Sequence, residues 1–255
     1  AITGDTLANV IDERILKPVG MFDTMLRPWD TDFIPNSATL HMKNQQGDWT
    51  RDYMGMEISG MGGMVSTMDD MLRWLKNLEQ PVIGTPESWR VLKEPHKLRS
   101  GRSTGYGLGL FSGIYRGADI LYHSGGVMGG SSQMIKVPQA GLDISIASNR
   151  ADVMTIALAN EVIDACVEGL APRSPGKSGA QRSGVYISKA SGRVLDLLVK
   201  GEEQTVSVNG GAALPFIADS EGALQLPDHL SFMQQRLKVD GDRAQFSIFG
   251  HGDEL

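Results

Sequence analysis

Cysteine is nearly absent: Cys166 is the one cysteine in 255 residues, which excludes an internal disulfide and a cysteine-built zinc site. Long apolar runs are missing too, and no stretch approaches the ~18–20 residues a helix needs to cross a bilayer. Nor is there a basic excess. Lys and Arg number 24 against 30 Asp and Glu, a formal charge of -6, so neither nucleic acid nor a membrane is expected as a partner. Five histidines (His41, His96, His123, His229 and His251) stand without H-x-H or H-E-x-x-H spacing, and no metal site is expected. There is no G-x-S-x-G elbow. The stretch Gly101 to Gly113 lacks the G-K-[ST] end of a phosphate loop, and no cofactor is implied.

What is present describes a packed globular chain, with 41% hydrophobic and 21% charged residues. Glycine is frequent, at 31 residues, which points to many tight turns or close backbone approaches. Six of the 13 methionines (Met54, Met56, Met61, Met64, Met68 and Met71) fall in one short stretch. They read either as flexible core filling or as an adaptable apolar wall beside a cleft. The sequence opens on Ala1 and enters a helix within a few residues, so a fragment or processed product is expected. The compartment is not legible from that end, and the cytoplasm is the default expectation.

Asp5 or Thr6 can cap a first helix whose apolar positions are Leu7, Val10, Ile11 and Ile15, ended by Pro18 and Gly20. Residues 22–56 have weak periodicity and read as an irregular crossing. Thr67 followed by Asp70 resembles an acidic capping box, after which Met68, Met71, Leu72, Leu75 and Leu78 line one helical face up to Pro81. Asp69 and Asp70 then favour the helix dipole. Short runs follow at 106–112, 120–123, 131–137 and 142–148, then an apolar helix containing Val153, Ile156, Ile163 and Cys166. Strands in succession flanked by helices predict an α+β class, with an antiparallel sheet covered by helices over residues 1–170. Residues 171–184 (APRSPGKSGAQRSG) read as a linker. Beyond it, repeated short strands over 185–255 predict a small antiparallel barrel or sandwich.

The stretch richest in chemistry is Tyr122-His123-Ser124-Gly125-Gly126-Val127-Met128-Gly129-Gly130. A strand ends in a polar pair and then in glycines, which let another backbone come close. On residue types alone it is either a site edge or a Gly-rich turn beside a half-buried histidine.

Three segments together resemble the penicillin-recognising serine hydrolases, the superfamily of class C β-lactamases, D-alanyl carboxypeptidases, esterases and D-aminopeptidases. Residues 12–24 (DERILKPVGMFDT) resemble the family's helix ending in I-x-x-P-L-G-M-x-D-T, and residues 62–71 (GGMVSTMDDM) resemble G-G-L-x-S-T-x-x-D-M. Tyr106-Gly107-Leu108-Gly109 followed by His123-Ser124-Gly125-Gly126 resembles Y-G-x-G…H-x-G-x-x-x-G. The resemblance implies an acyl-enzyme mechanism. In it His123 supports proton traffic or substrate binding, Gly126 supplies the second N–H of the oxyanion hole, and Ser124 and Gly125 contact substrate. A His in place of the β-lactamase Lys leaves no permanent cation for a substrate carboxylate, which favours an aminopeptidase or esterase over a β-lactamase.

Two motifs of that family have no credible match. The one S-x-x-K, Ser174-Pro175-Gly176-Lys177, carries Pro and Gly that oppose the helical turn the motif requires, and no Tyr is followed by Asn two residues on. Gly184-Val185-Tyr186, residues 191–195 (SGRVL), Leu214-Pro215 and Phe249-Gly250-His251 resemble the lipocalin-like β-barrel domain that follows the catalytic domain in D-aminopeptidases. The implied parent is a serine hydrolase that removes N-terminal D-amino acids from amides and short peptides, its nucleophile lying outside this chain. An esterase, a β-lactamase-like hydrolase and a non-catalytic binding fragment are the alternatives. Expected partners are a small peptide or amide substrate, the N-terminal portion of the same protein, and a second copy in a homodimer.

Overall fold

A computed structural model describes residues 2–254 apart from 52, 54, 58, 102, 151, 173–181, 220, 228–234, 249 and 250. Ser174, Lys177 and most of the expected linker therefore lie outside the described residues. The chain divides into two compact units, Ala1–Ile114 with Ala118–Glu168, and Tyr115–Gly117 with Gly169–Leu255.

The first unit opens with α1 (Leu7–Ile11), a π-helical turn (Asp12–Leu16) and α2 (Lys17–Val19) in succession. Thr6 caps α1 by accepting from the Asn9 N–H at 3.2 Å. Gly20 ends α2 at φ 81°, a left-handed conformation that glycine adopts without steric cost. The expected inward face is shifted: Leu7 is exposed, and Leu16 rather than Ile15 is fully buried. The π turn holds an extra residue, which advances the buried position by one.

Residues 22–56 are less irregular than the sequence suggests. They hold β1 (Met25–Leu26) and the hairpin of β2 (His41–Lys43) and β3 (Trp49–Arg51). After α3 (Ser59–Gly62), β4 (Met64–Val65) pairs antiparallel with β1. At the start of α4 (Met68–Glu79) the Thr67 hydroxyl oxygen accepts from the Asp70 N–H. Asp70 does not complete a capping box. Its buried carboxylate accepts from the Asp23 N–H at 2.9 Å, the Thr24 hydroxyl at 2.7 Å and the Arg73 guanidinium at 2.6 Å. It thereby ties the helix start to the chain entering β1, a larger role than offsetting the dipole.

On α4, Leu75 and Leu78 are buried with Trp89 and Leu110, whereas Met68 and Leu72 are exposed. Met56 and Met64 are exposed too, so core filling does not account for these three methionines; Met54 lies outside the described residues. Helix α5 (Pro86–Lys93) follows, its first turn closed by a reciprocal Thr85–Ser88 capping box.

The main sheet has the order β5 (Phe111–Tyr115), β6 (Ala118–Val127), β7 (Gly130–Val137) and β8 (Leu142–Ser148). Tyr106, expected to open a strand, instead stands outside the strands and meets Phe111 through a single isolated bridge. Side chains alternate along β7. Met134 joins the Leu75–Leu78–Trp89 cluster on the α4 face, and on the same face buried Lys136 reaches Glu79 of α4 at 2.9 Å. Lys136 also meets Asp143 of β8 at 2.7 Å. Burial works to lower the Lys136 ammonium, but the hydrogen bonds it donates to Asp143 and Glu79 leave it above the ordinary lysine range. Helix α6 (Thr155–Cys166) packs against β7 and β8.

In the second unit, β9 (Gly184–Ile187), β10 (Val194–Lys200), β11 (Glu203–Val208) and β12 (Leu214–Pro215) form one antiparallel sheet. A second is formed by β13 (Ile217–Ala218), β14 (Leu224–Gln225), β15 (Arg236–Asp240), β16 (Arg243–Ile248) and β17 (His251–Glu254). Tyr186, Leu195, Leu197 and Val206 from the first share one core with Leu224, Leu237 and Phe246 from the second. Among the described residues neither sheet closes on itself, so of the expected barrel or sandwich the unit shows two open sheets over a common core and no closed barrel. The chain passes between them at buried Phe216, next to Pro215, which has no N–H to extend the ladder. Among the described residues no helix is long and apolar enough to cross a membrane.

Removing the Asp70 carboxylate leaves the Asp23 N–H without its acceptor and the Thr24 hydroxyl with the Ser66 hydroxyl as its remaining partner, so Asp70→Ala is expected to cost about 2–4 kcal/mol in a denaturant titration. In the second unit, Asp219 accepts from the Glu221 and Ala223 N–H groups and from Arg236. Burial works to raise the Asp219 carboxyl, yet the Arg236 guanidinium and these N–H groups hold it below the usual carboxylate range. A depressed carboxyl stabilises the fold above its unfolded pKa and stops doing so as pH falls through the folded value. Asp219→Asn should therefore be less stable at pH 7 by about 1 kcal/mol, with the two thermal curves converging as pH falls below the ordinary carboxylate range.

Candidate active site

Strand β6 outruns its neighbour. Arg116 and Gly117 (φ 48° and 89°) make a two-residue turn between β5 and β6, which sets Phe111 opposite Tyr122, their rings stacked at 5.1 Å. From His123 to Val127, β6 is paired on one side only, with β7, among the described strands.

On that side the register is His123 with Met134, Ser124 with Gln133, Gly125 with Ser132, Gly126 with Ser131 and Val127 with Gly130. The pair Val127/Gly130 closes a two-residue turn, so it is hydrogen-bonded and the pairs alternate from there. Gly126 then falls in a non-hydrogen-bonded pair, and its N–H points away from β7. It points past the end of β5, where Gly126 is exposed and an added Cβ would meet nothing within 4 Å.

The same parity puts His123 on the α4 face of the sheet, half-buried beside Phe111 and Tyr106, with ring centroids at 5.8 and 5.9 Å. Its Nδ1 lies 2.7 Å from the Ser124 carbonyl oxygen and its Nε2 lies 3.2 Å from the Tyr106 hydroxyl. Ser124 is on the opposite face, donating its hydroxyl to Oε1 of buried Gln133. Gly125 faces Ser132, whose hydroxyl would stand 2.4 Å from an added Cβ. The four residues singled out from the sequence are thus contiguous on one strand but do not share one direction. His123 and the Gly126 N–H bear on the open edge, while the Ser124 hydroxyl is engaged within the sheet.

Sequence reasoning left Tyr106, Phe111 and Gln133 without a role. Tyr106 stood inside a recognised motif, and its two glycines were the available signal. Gly107 sits so close to the chain that a Cβ would lie 2.3 Å from the Leu92 carbonyl oxygen, and Gly109 has φ 93°. Among the described residues no three metal-binding side chains gather.

A beta-lactamase family model matches residues 1–165. The chain belongs to the beta-lactamase family. It lies within the penicillin-recognising serine hydrolases, as the three motifs indicated. Its similarity to the D-aminopeptidase of Gluconobacter oxydans is 24% identity over 184 residues, 72% of this chain and 34% of that protein. The chain spans about a third of the length of the curated relatives it matches. In fold it is similar to the octameric penicillin-binding protein homologue from Pyrococcus abyssi (TM-score 0.60, 15% identity, 100% of this chain and 61% of that one). It is also similar to the D-amino acid amidase from Ochrobactrum anthropi SV3 (TM-score 0.53, 22% identity, 64% and 54% of the two chains).

The two family glycines differ in what surrounds them, and so should their alanine variants. Gly126→Ala is expected to melt within about 0.5 kcal/mol of the parent. Gly107→Ala, forced against a backbone oxygen, should lose about 2 kcal/mol or more by thermal or denaturant unfolding.

Proposed function

We propose that the β6 edge is one half of an acyl-transfer site. In it the Gly126 N–H donates to the oxyanion, Gly125 and the exposed backbone of Ser124 line the acyl group, and His123 handles protons near the leaving group. The attacking serine is supplied by residues outside these 255, since the one S-x-x-K here has Pro and Gly within it. The reaction is hydrolysis of N-terminal D-amino acids from amides and short peptides through an acyl-enzyme. The observation that carries this reading is the direction of the Gly126 N–H, away from β7 and past the end of β5, three residues after an imidazole.

The relative from Gluconobacter oxydans named a D-aminopeptidase and the fold shared with a D-amino acid amidase support the substrate class. So does a His where a carboxylate-binding Lys would favour β-lactams. The octameric state named for the Pyrococcus abyssi homologue supports self-association, and the cytoplasm stays our assignment of compartment.

The 255-residue chain is expected to form no adduct with a serine-directed phosphonate, because the Ser124 hydroxyl is held by Gln133. Mass-spectrometric labelling of Ser124 or Ser174 would sink the proposal. Joined to a nucleophile-bearing segment, the protein should hydrolyse a D-alanine amide faster than a cephalosporin, and His123→Ala should lower kcat by about 10²-fold.

A further inference from the structure

We infer that Tyr106 is a positioning residue for His123: it fixes which ring nitrogen carries the proton and relays protons to the other. The inference rests on the reading of His123 as the proton-handling group of the site.

A carbonyl oxygen only accepts hydrogen bonds. The 2.7 Å approach of His123 Nδ1 to the Ser124 carbonyl therefore places a hydrogen on Nδ1 whether the ring is neutral or charged. In the neutral ring Nε2 holds the lone pair, and the Tyr106 hydroxyl at 3.2 Å donates to it. In the imidazolium, Nε2–H donates to the same phenol oxygen and the hydroxyl hydrogen rotates outward. A hydroxyl is both donor and acceptor, so the ring gains or loses a proton at Nε2 with no heavy atom moving. For transfer, an incoming proton bonds to the phenol oxygen as the phenol's own proton passes to Nε2; the return reverses both steps, and no other bond changes.

The surroundings make Tyr106 rigid enough for this. Its carbonyl accepts from the His96 N–H at 2.9 Å and the Thr104 hydroxyl at 3.0 Å, and its N–H donates to Thr104 Oγ1 at 3.2 Å. Its ring lies 4.3 Å from that of Phe111, which also flanks the imidazole. Gly107, pressed against the Leu92 carbonyl, and Gly109, at φ 93°, form the turn that brings the phenol to the histidine. The Y-G-x-G segment has a physical task on this account: its glycines make the turn, and its tyrosine meets the ring.

The test is a long-range 1H–15N correlation spectrum of the 15N-histidine-labelled protein from about pH 5 to pH 9, across the histidine range. Neutral His123 is expected to carry its proton on Nδ1. In Tyr106→Phe the Nε2 resonance should move toward that of an unbonded ring nitrogen, and the Nδ1–H to Nε2–H ratio should fall about fivefold or more, with the melting temperature unchanged. A wild-type neutral ring protonated on Nε2 overturns the inference without any variant. So does a Tyr106→Phe spectrum that matches wild type. Hydrolysis of an activated D-amino-acid ester by the protein joined to its nucleophile-bearing segment separates the two readings. Loss of turnover in His123→Gln with an unaltered pH profile in Tyr106→Phe overturns the role of the tyrosine alone. Full turnover in His123→Gln overturns the site reading with it.

Discussion

The pairing register of β6 with β7 is the constraint on which the rest of the site depends. It is pinned at the turn, where Gly129 has φ 77° and packs so closely that a Cβ would stand 2.6 Å from the His41 nitrogen. The His41 N–H in turn donates to the Gly129 carbonyl at 3.2 Å. With the turn held, Val127 must face Gly130, and the alternation of an antiparallel ladder decides everything upstream. It sends His123 to the face of Met134 and the Ser124 hydroxyl to Gln133. It also aims the Gly126 N–H outward. A slip of one residue would reverse all three at once.

What the sequence made legible were features determined by neighbours in the chain. The Thr67 cap of α4 and the bounds of β8 follow from local propensity and alternation, and each is found where expected. The features that escaped are those decided at a distance. Asp70 reads as a helix-start acid until Asp23 and Thr24, 47 and 46 residues earlier, bring their donors to it. The π turn at Asp12–Leu16 leaves no mark on the apolar spacing that would separate it from an ordinary helix. Whether the two sheets of the second unit close depends on how their edge strands meet, and two of those edges, β12 and β13, are pieces of two residues each, too short to carry a periodic signal. The candidate site was legible as a strand of named residues, but their directions were not. Those follow from the turn, whose two-residue length only the register reveals.

Glycines at the site answer to different causes. At Gly107 a backbone oxygen occupies the space of a side chain, and at Gly129 both the left-handed φ and the packing exclude one. These two are explained by the fold alone. Gly126 is not: its φ lies outside the left-handed range, its surroundings are open, and any small residue would fit. A glycine without a folding reason at a sheet edge is best accounted for by what must approach that edge. On the proposed reading a substrate carbonyl reaches that N–H in the strand plane, and the missing side chain leaves the sheet face beside it open to the rest of the substrate.

The groups that hold His123 also bear on why an imidazole rather than an ammonium stands there. Its ring nitrogens meet a peptide carbonyl and a phenol, both neutral, in a half-buried setting flanked by the Phe111 ring. A lysine in such a place would present a charge that burial penalises and that neither partner neutralises. An imidazole is neutral for part of its cycle and charged for the rest, and the Tyr106 hydroxyl satisfies Nε2 in both states by reversing its hydrogen bond. On the proposed reading, this setting suits a group whose charge comes and goes. That property suits the transfer of a proton to a departing amine better than the permanent anchoring of a substrate carboxylate.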